Sequence, residues 1–401
     1  MVKISVKMTN AEIIALNERY LFTTYARAPI ALVRGQGCRV WDADGKEYLD
    51  FFASTVVTAL GHCHPSVTHA IVEQANKILH VSNLHHSEPQ AVLAELLCTH
   101  SFADRVFFCN SGAEANEAAI KLARKYGAER GDGRFEVITA LGSFHGRTIA
   151  TITATGQEKV RRGFQPLPEG FRYMPYNDAD ALEAAITPRT IAVMIEPLQG
   201  EGGIVVATPD YLRRVREICD RHGLLLIYDE VQTGMGRTGT LFAYQHSGVA
   251  PDIMTLAKGL GTGVPIGAML ATEAVATSFT VGSHASTFGG NPLTCAVGVA
   301  VMRAMLSEGV LANCQAQGEY LRARLRRIAT SCPRIRDVRG DGLLVGVELD
   351  GPGNAVVDTC REAGLLINCT VEKVLRLSPP LIVSRSEIDQ AVDIVEHVLR
   401  Q

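Results

Sequence analysis

Residues 224–234 read LLLIYDEVQTG, and residues 252–261 read DIMTLAKGLG. In each, a short apolar run stops at a chemically active side chain, Asp229 in the first and Lys258 in the second. Short apolar runs closed by turn residues fit strands buried on both faces, as in a parallel sheet. Ligands of open α/β sheets bind just outside the carboxyl ends of such strands. A lysine set among Gly, Ala and Leu can shed its proton and act as an amine nucleophile. An aspartate at the neighbouring strand end can hold a protonated ring nitrogen. Together they describe a site for pyridoxal 5'-phosphate (PLP), with Lys258 joined to the cofactor aldehyde and Asp229 as partner of the ring.

Working outward, apolar runs recur at RVFFC, EVIT, IAVMIEP and GAMLAT, with helical patterns such as NEAAIKLARKYG and PDYLRRVREICDRHG between several of them. This alternation predicts a mostly parallel, doubly wound sheet in a large domain, residues 61–295. Residues 1–60 hold two apolar pieces, ALVRGQGCRVWD and EYLDFFAS, joined at Asp44-Gly45, which predicts a hairpin. Ser66 to Leu79 reads as a helix. From Pro292 the small-residue helix PLTCAVGVAVMRAM leads into a smaller α+β domain, residues 296–401, which the N-terminal segment is expected to join. Ser384 and Glu387 form a capping-box pattern. They precede a helix with Ile388, Ala391, Val392, Val395, Val398 and Leu399 on one stripe.

The 401 residues are 47% hydrophobic and 20% charged, a globular composition, and the formal charge of −3 gives no footprint for nucleic acid or an anionic membrane. The first residues, MVKISVKMTN, lack the apolar core of a signal peptide, and no apolar run is long enough to span a bilayer. The ten cysteines are scattered without a C-x-x-C pair, which suits a reducing, cytoplasmic setting.

Other motifs carry the chemistry further. NSGAEANEAA comes after an apolar run and opens a helix. Asn110 and Ser111 are N-cap candidates, and Gly112 permits close backbone approach. Free N–H groups and the positive dipole end there suit a phosphate, although an ordinary capped helix would look the same. In SFHGRT, Phe144 can stack on a flat ring and Arg147 can clamp a carboxylate; alone they would be core and surface. Asp229 could instead cap a helix after it, but two carboxylates and an amide after an apolar strand, Asp229, Glu230 and Gln232, need partners if buried. STFGGNP, residues 286–292, is either a phosphate cradle or a turn. Arg376, in VLRLSPP, needs a carboxylate partner or solvent, and Glu201, in QGEGG, is a candidate partner.

Gly234, Gly236 and Gly239 match the dinucleotide fingerprint, but the next residues, TLFAYQHSGVAP, are poor helix material. His62, His64, His85 and His86 lack any zinc-ligand spacing, so turn and pocket roles are expected and no metal.

The ordered set NSGAEA, SFHGRT, IEPLQGEGG, DEVQTGMGRTG, LAKGLG, STFGGNP and VLRLSPP resembles the class III aminotransferases of PLP fold type I. Among them it is most similar to the acetylornithine group of arginine biosynthesis. The resemblance implies that Lys258 carries the cofactor, that Asp229 keeps the ring nitrogen protonated and that Gln232 bonds the ring oxygen. Ser111, Gly112 and Ala113 would bind phosphate and Phe144 would stack on the ring. Thr287 would complete the phosphate site from the second subunit of a homodimer. Ser286 would lie near substrate, Arg147 and Arg376 would bind carboxylates, and Glu201 would pair with Arg376 when the amine donor is bound. The co-substrates implied are an amine donor and 2-oxoglutarate. The run STVVTALGHCHP, residues 54–65, and the pair His85-His86 depart from the acetylornithine pattern near the expected substrate channel. Ornithine, succinylornithine, another ω-amino acid or a diamine are therefore alternative donors. A mutase or decarboxylase on the same fold, and a catalytically silent binding protein, are less well matched. Both arginines and both cofactor residues, Lys258 and Asp229, are present.

Overall fold

The computed structural model describes residues 8–131 and 133–401; most of the segment without a signal-like core lies outside them. Seven strands form the central sheet. Their spatial order is Arg105–Cys109, Gly267–Ala271, Ile253–Leu256, Leu225–Asp229, Thr190–Ile195, Glu136–Ala140 and Phe171–Met174. Alternate residues of one strand enter different cores. Leu226 and Tyr228 pack in one cluster, Leu225 and Ile227 in the other. A strand covered on both faces can carry no polar alternation, which is why LLLIYD is apolar throughout until Asp229.

The sheet is mostly parallel, as expected, with one reversal. Gly267–Ala271, the GAMLAT run, is antiparallel to both Ile253–Leu256 and Arg105–Cys109. A buried apolar run reads alike in either direction, so the sequence holds no sign of the reversal. Asp229 ends the central strand, and Ile253–Leu256 lies beside it in parallel register, Asp229 opposite Thr255. Lys258 therefore emerges next to Asp229 at the same edge of the sheet.

Two local expectations change. The piece ALVRGQGCRVWD is two strands, Leu32–Gln36 and Arg39–Asp42, because Gly37 turns the chain with φ +56°. With Glu47–Asp50 they make a meander, and the turn at Asp44-Gly45 stands. The helix beginning near Ser66 spans Pro65–Ala75 and stops short of Leu79, with Asn76 as its cap.

The last strand of the meander pairs in parallel with Leu365–Leu366. A second antiparallel sheet has the order Ile335–Asp341, Leu344–Leu349, Val374–Leu377, Asn368–Thr370. The C-terminal helix Arg385–Leu399 has the capping box of Ser384 and Glu387, and it buries the six residues of the predicted stripe. Among the described residues no single helix is long and apolar enough to cross a membrane. The pair Pro292–Ser307 and Val310–Ala329 qualifies only jointly, and it is bent by 66°.

Candidate active site

Asp229 is 3% exposed and held by several contacts. Its Oδ2 accepts from Asn116 Nδ2 at 2.8 Å and sits 2.7 Å from His145 Nδ1, while Oδ1 accepts from the Val231 N–H at 3.0 Å. Asn116 is itself tied down: its Nδ2 also donates to the His145 carbonyl at 2.7 Å, and its Oδ1 accepts from Thr255 Oγ1 at 2.7 Å. The carboxylate is thus held in one orientation by the Gly112–Arg130 helix, the 143–147 loop and the adjacent strand. It caps no helix.

Glu230, the next carboxylate, turns the other way. It accepts from the Ala243 and Tyr244 N–H groups at 2.6 and 2.9 Å, and burial pushes its pKa up to about 7. Its place is structural.

Lys258 opens a short 3-10 turn after the strand ending at Leu256, with φ +43°, the left-handed region that L-residues seldom occupy. Such strain clusters where function over-determines the backbone. Burial lowers its pKa to about 8, Glu201 opposes the shift and Arg376 adds to it. About a tenth of the amine is then neutral at pH 7, far more than for an ordinary lysine.

Both groups line a cavity of about 420 Å³, together with Gly112, Phe144, Arg147 and Gln232. Ser111 caps the Gly112–Arg130 helix, its Oγ accepting from the Glu114 N–H at 3.2 Å. The Gly112 and Ala113 N–H groups belong to the first turn, where a helix has no acceptors of its own, so they are free for an anion. Asn110 is not the cap; its N–H and side chain are bonded to Glu114. A Cβ on Gly112 would lie 2.7 Å from Val231 Cγ1, so glycine lets the helix start sit this close to the strand that presents Asp229.

The donor set fits PLP. A fixed buried anion suits a protonated ring nitrogen, a helix start suits a phosphate, Phe144 offers a flat face, and Lys258 has a depressed pKa. When bound, PLP supplies an aldehyde for amines and a ring that takes up the electron pair left at the reacting carbon.

Arg147 is exposed, with its guanidinium carbon 5.5 Å from the Phe144 ring centre. The Phe144 N–H donates to Glu196 Oε2 at 3.1 Å. Glu196 is a cavity residue that sequence reasoning passed over; burial, then the nearby charge of Asp229, drives its pKa well above the carboxylate range. Asn116 and His145 were also missed. A lone Asn in an Ala-rich helix and a His beside Phe144 were the only signals.

The expected Glu201–Arg376 pair is formed. Arg376 Nη1 lies 2.6 Å from Glu201 Oε1, Nε donates to Asn368 Oδ1 at 3.0 Å, and the side chain is 1% exposed. Burial raises the Glu201 pKa, but the charge and hydrogen bond of Arg376 outweigh it and hold the carboxyl below its ordinary value. Gln232 bridges the two, 3.4 Å from each.

Ser286 and Thr287 do not line this cavity. Ser286 Oγ accepts from Asn110 Nδ2 at 3.2 Å and from the Gly289 N–H at 3.0 Å, and Thr287 is exposed. The glycines of the fingerprint run through turns with no helix directly after them, and Gly236 is packed against Leu381, Leu311 and Met305. His62 bonds Asp50 at 2.8 Å, His64 lies 3.5 Å from Glu308 and His85 bonds the Val81 carbonyl at 3.1 Å. No group of three His, Cys, Asp or Glu among the described residues could hold a metal.

The model of the class III aminotransferase family matches residues 22–399. The chain is 52% identical to the acetylornithine aminotransferase of Caldanaerobacter subterraneus subsp. tengcongensis, over 97% of this chain and 99% of that one. It is 49% identical to the acetylornithine aminotransferase of Methanothermobacter thermautotrophicus, over 98% and 99%. The ornithine aminotransferase of Toxoplasma gondii, in a structure with PLP at partial occupancy in its active site, superposes with a TM-score of 0.94. The identity is 36%, covering 98% of this chain and 94% of that one. Matched along nearly its whole length, with a cavity whose groups suit the cofactor, the chain belongs to the class III aminotransferases, PLP-dependent enzymes of fold type I.

Proposed function

We propose that the enzyme moves the δ-amino group of N2-acetylornithine to 2-oxoglutarate, giving N-acetylglutamate 5-semialdehyde and glutamate, as a step of arginine biosynthesis in the cytoplasm. The observation that carries amino transfer between unlike substrates is the 2.6 Å Glu201–Arg376 pair beside Lys258. The choice of donor is supported by the two relatives named above.

Asp229 keeps the ring nitrogen protonated, and its own orientation is enforced by Asn116 and His145. Lys258 Nζ would hold the cofactor and, once freed, would act as the general acid–base that moves the proton from the δ carbon of the donor. Ser111, Gly112 and Ala113 would hold the phosphate, Phe144 would cover the ring and Gln232 would reach the ring oxygen. For the acceptor, Arg376 binds the α-carboxylate and Arg147 the distal one, while Glu201 moves aside. For the donor, which has no carboxylate at the reacting end, Glu201 returns and neutralises Arg376. With the acceptor bound, Lys258 would run the same proton transfer in reverse.

Thr287 and Ser286 act on the site of a second copy in a homodimer. Exposed apolar residues, Phe22 at 89%, Leu84 at 89% and Val281 at 107%, support a partner over these faces. The division into residues 61–295 and a small domain of 296–401 joined by 1–60 is supported by the Leu365–Leu49 pairing and by the Ser378 N–H donating to the Phe51 carbonyl at 2.7 Å.

The test is a panel of amines with 2-oxoglutarate, monitoring glutamate. N2-acetylornithine is expected to exceed ornithine, succinylornithine, β-alanine, putrescine and cadaverine in kcat/KM; a larger value for any of these would reassign the donor. Glu201→Ala is expected to slow the amine half-reaction by roughly tenfold, because Arg376 is left buried without its counter-charge, and to spare the glutamate half. Single-turnover measurement of each half checks this, and equal losses would remove the proposed movement of Glu201.

A further inference from the structure

Glu201 sits in a five-residue loop, 200–204, between the short strands Leu198–Gln199 and Val205–Val206. Three of the five are glycines, Gly200, Gly202 and Gly203, so the loop has much freedom to lose and little side chain to hold it. It also ends in a strained residue. Ile204, β-branched and fully buried, has φ +55°. Something outside the loop must hold this backbone in place.

The small antiparallel sheet does so along one rung. Arg339 lies opposite Gly346, and Gly346 lies opposite Arg376. Residues directly opposite in antiparallel strands point to the same face, so the three present a common surface. Arg376 takes the Glu201 carboxylate. Gly346 leaves the space that Ile204 fills, since a Cβ there would stand 2.8 Å from Ile204 Cβ. Arg339 grips the backbone. Its Nε donates to the carbonyls of Gly203 and Ile204, both at 3.0 Å, and Nη2 donates to Gly203 at 2.7 Å. The guanidinium is braced in turn by Asp337 at 2.9 Å and Glu348 at 2.7 Å, and Glu348 also holds Lys373 at 2.7 Å.

We infer that the rung Arg339–Gly346–Arg376 is a seat for the Glu201 loop, and that Arg339 is a positioning residue that sets how readily the enzyme alternates between its two substrates. It rests on the proposed movement of Glu201. Arg339 touches neither substrate nor cofactor. It fixes two carbonyls shortly after Glu201, those of Gly203 and Ile204, so that the carboxylate swings about a held base and returns to Arg376. With Arg339 removed, the glycine-rich loop gains conformations in which Glu201 no longer covers Arg376. The amine donor, which meets an exposed guanidinium, bears the loss; the dicarboxylate partner, which needs Arg376 uncovered, does not.

The experiment is stopped-flow single turnover of the holoenzyme, with N2-acetylornithine for one half-reaction and glutamate for the other. Arg339→Met is expected to slow the amine half by roughly tenfold, the scale of losing charge-assisted hydrogen bonds, and to alter the glutamate half by less than about twofold. Arg339→Lys, which keeps a donor, should recover part of the difference. Gly346→Ala, which pushes on Ile204, should shift the ratio in the same direction, and it carries the test should Arg339→Met fail to fold. Equal slowing of both halves, or no change, in Arg339→Met and Gly346→Ala while Glu201→Ala remains selective would overturn the inference and leave the movement of Glu201 standing. Equal slowing by Glu201→Ala would instead remove that movement, and the seat would lose its purpose.

Discussion

Lys258→Ala is expected to abolish turnover, with kcat for glutamate formation lower by at least about 10²–10⁴, the contribution of a positioned general acid–base alone. In the proposed mechanism the lysine does two things, holding the cofactor through its amine and carrying the proton at the reacting carbon. Lys258 is the only lysine in the cavity wall among the described residues. The fold should survive. Alanine keeps the Cβ and so leaves the left-handed backbone cost at φ +43° as it was. The amine itself costs the native state stability wherever it is protonated, because its pKa near 8 lies below the unfolded value of 10.5. That cost is full below about pH 8 and fades as pH rises towards 10.5. The cofactor-free variant is therefore expected to melt no lower than the cofactor-free parent at pH 7, by calorimetry. Activity within tenfold of the parent would mean that another group performs the proton transfer.

Asp229→Asn is the second large effect, a loss of roughly 10²–10³ in kcat/KM for both donor and acceptor, the scale of removing one preorganised electrostatic group from a buried site. The substitution changes little in volume but much in charge. An amide nitrogen placed where Oδ2 lies would face Asn116 Nδ2 at 2.8 Å, donor against donor. Flipping the amide moves the conflict to the Val231 N–H, 3.0 Å from Oδ1. Neither orientation offers a negative charge to the ring. Steady-state kinetics with both substrates, beside a melting curve, separates this from unfolding. A loss below tenfold in a folded variant would show that the ring nitrogen needs no anion.

Both expectations stand on residues legible in the sequence itself. An apolar strand ending at Asp229, and another leading straight to Lys258, admit few alternatives, since buried charge demands a partner. The features hidden from the sequence share a physical cause. Asn116 lies on a helix whose other inward residues are Ala, Ile and Leu with one Gly, and only the strand across the sheet reveals why a polar group is buried there. Glu230 and Glu196 both come after apolar strands. Only tertiary placement shows that the first caps Ala243 and Tyr244 while the second lines the cavity. The reversed strand Gly267–Ala271 has no local mark of direction.

The run after Phe52 illustrates the same limit. Ala53, Ser54, Thr55 and Val56 are all left-handed, with φ from 46° to 62°, and none is glycine. Local preference predicts none of this; Val56, which ends the run, is 2% exposed and packs with Leu198, Ile204, Leu344 and Val374. It brings Val57 to the cavity wall. The stretch that departs from the acetylornithine pattern is thus strained and adjoins the site. Arg339 had no sequence signal at all. Its contacts with the Glu201 loop are with backbone carbonyls 136 and 135 residues away.

The central claim is that the Lys258 amine carries the cofactor. Reducing the PLP-loaded enzyme with borohydride and mapping its peptides by mass spectrometry is the direct measurement. The predicted result is one pyridoxyl adduct per chain, on the peptide containing Lys258 and on no other lysine. An adduct elsewhere, or none in protein saturated with PLP, would contradict the account.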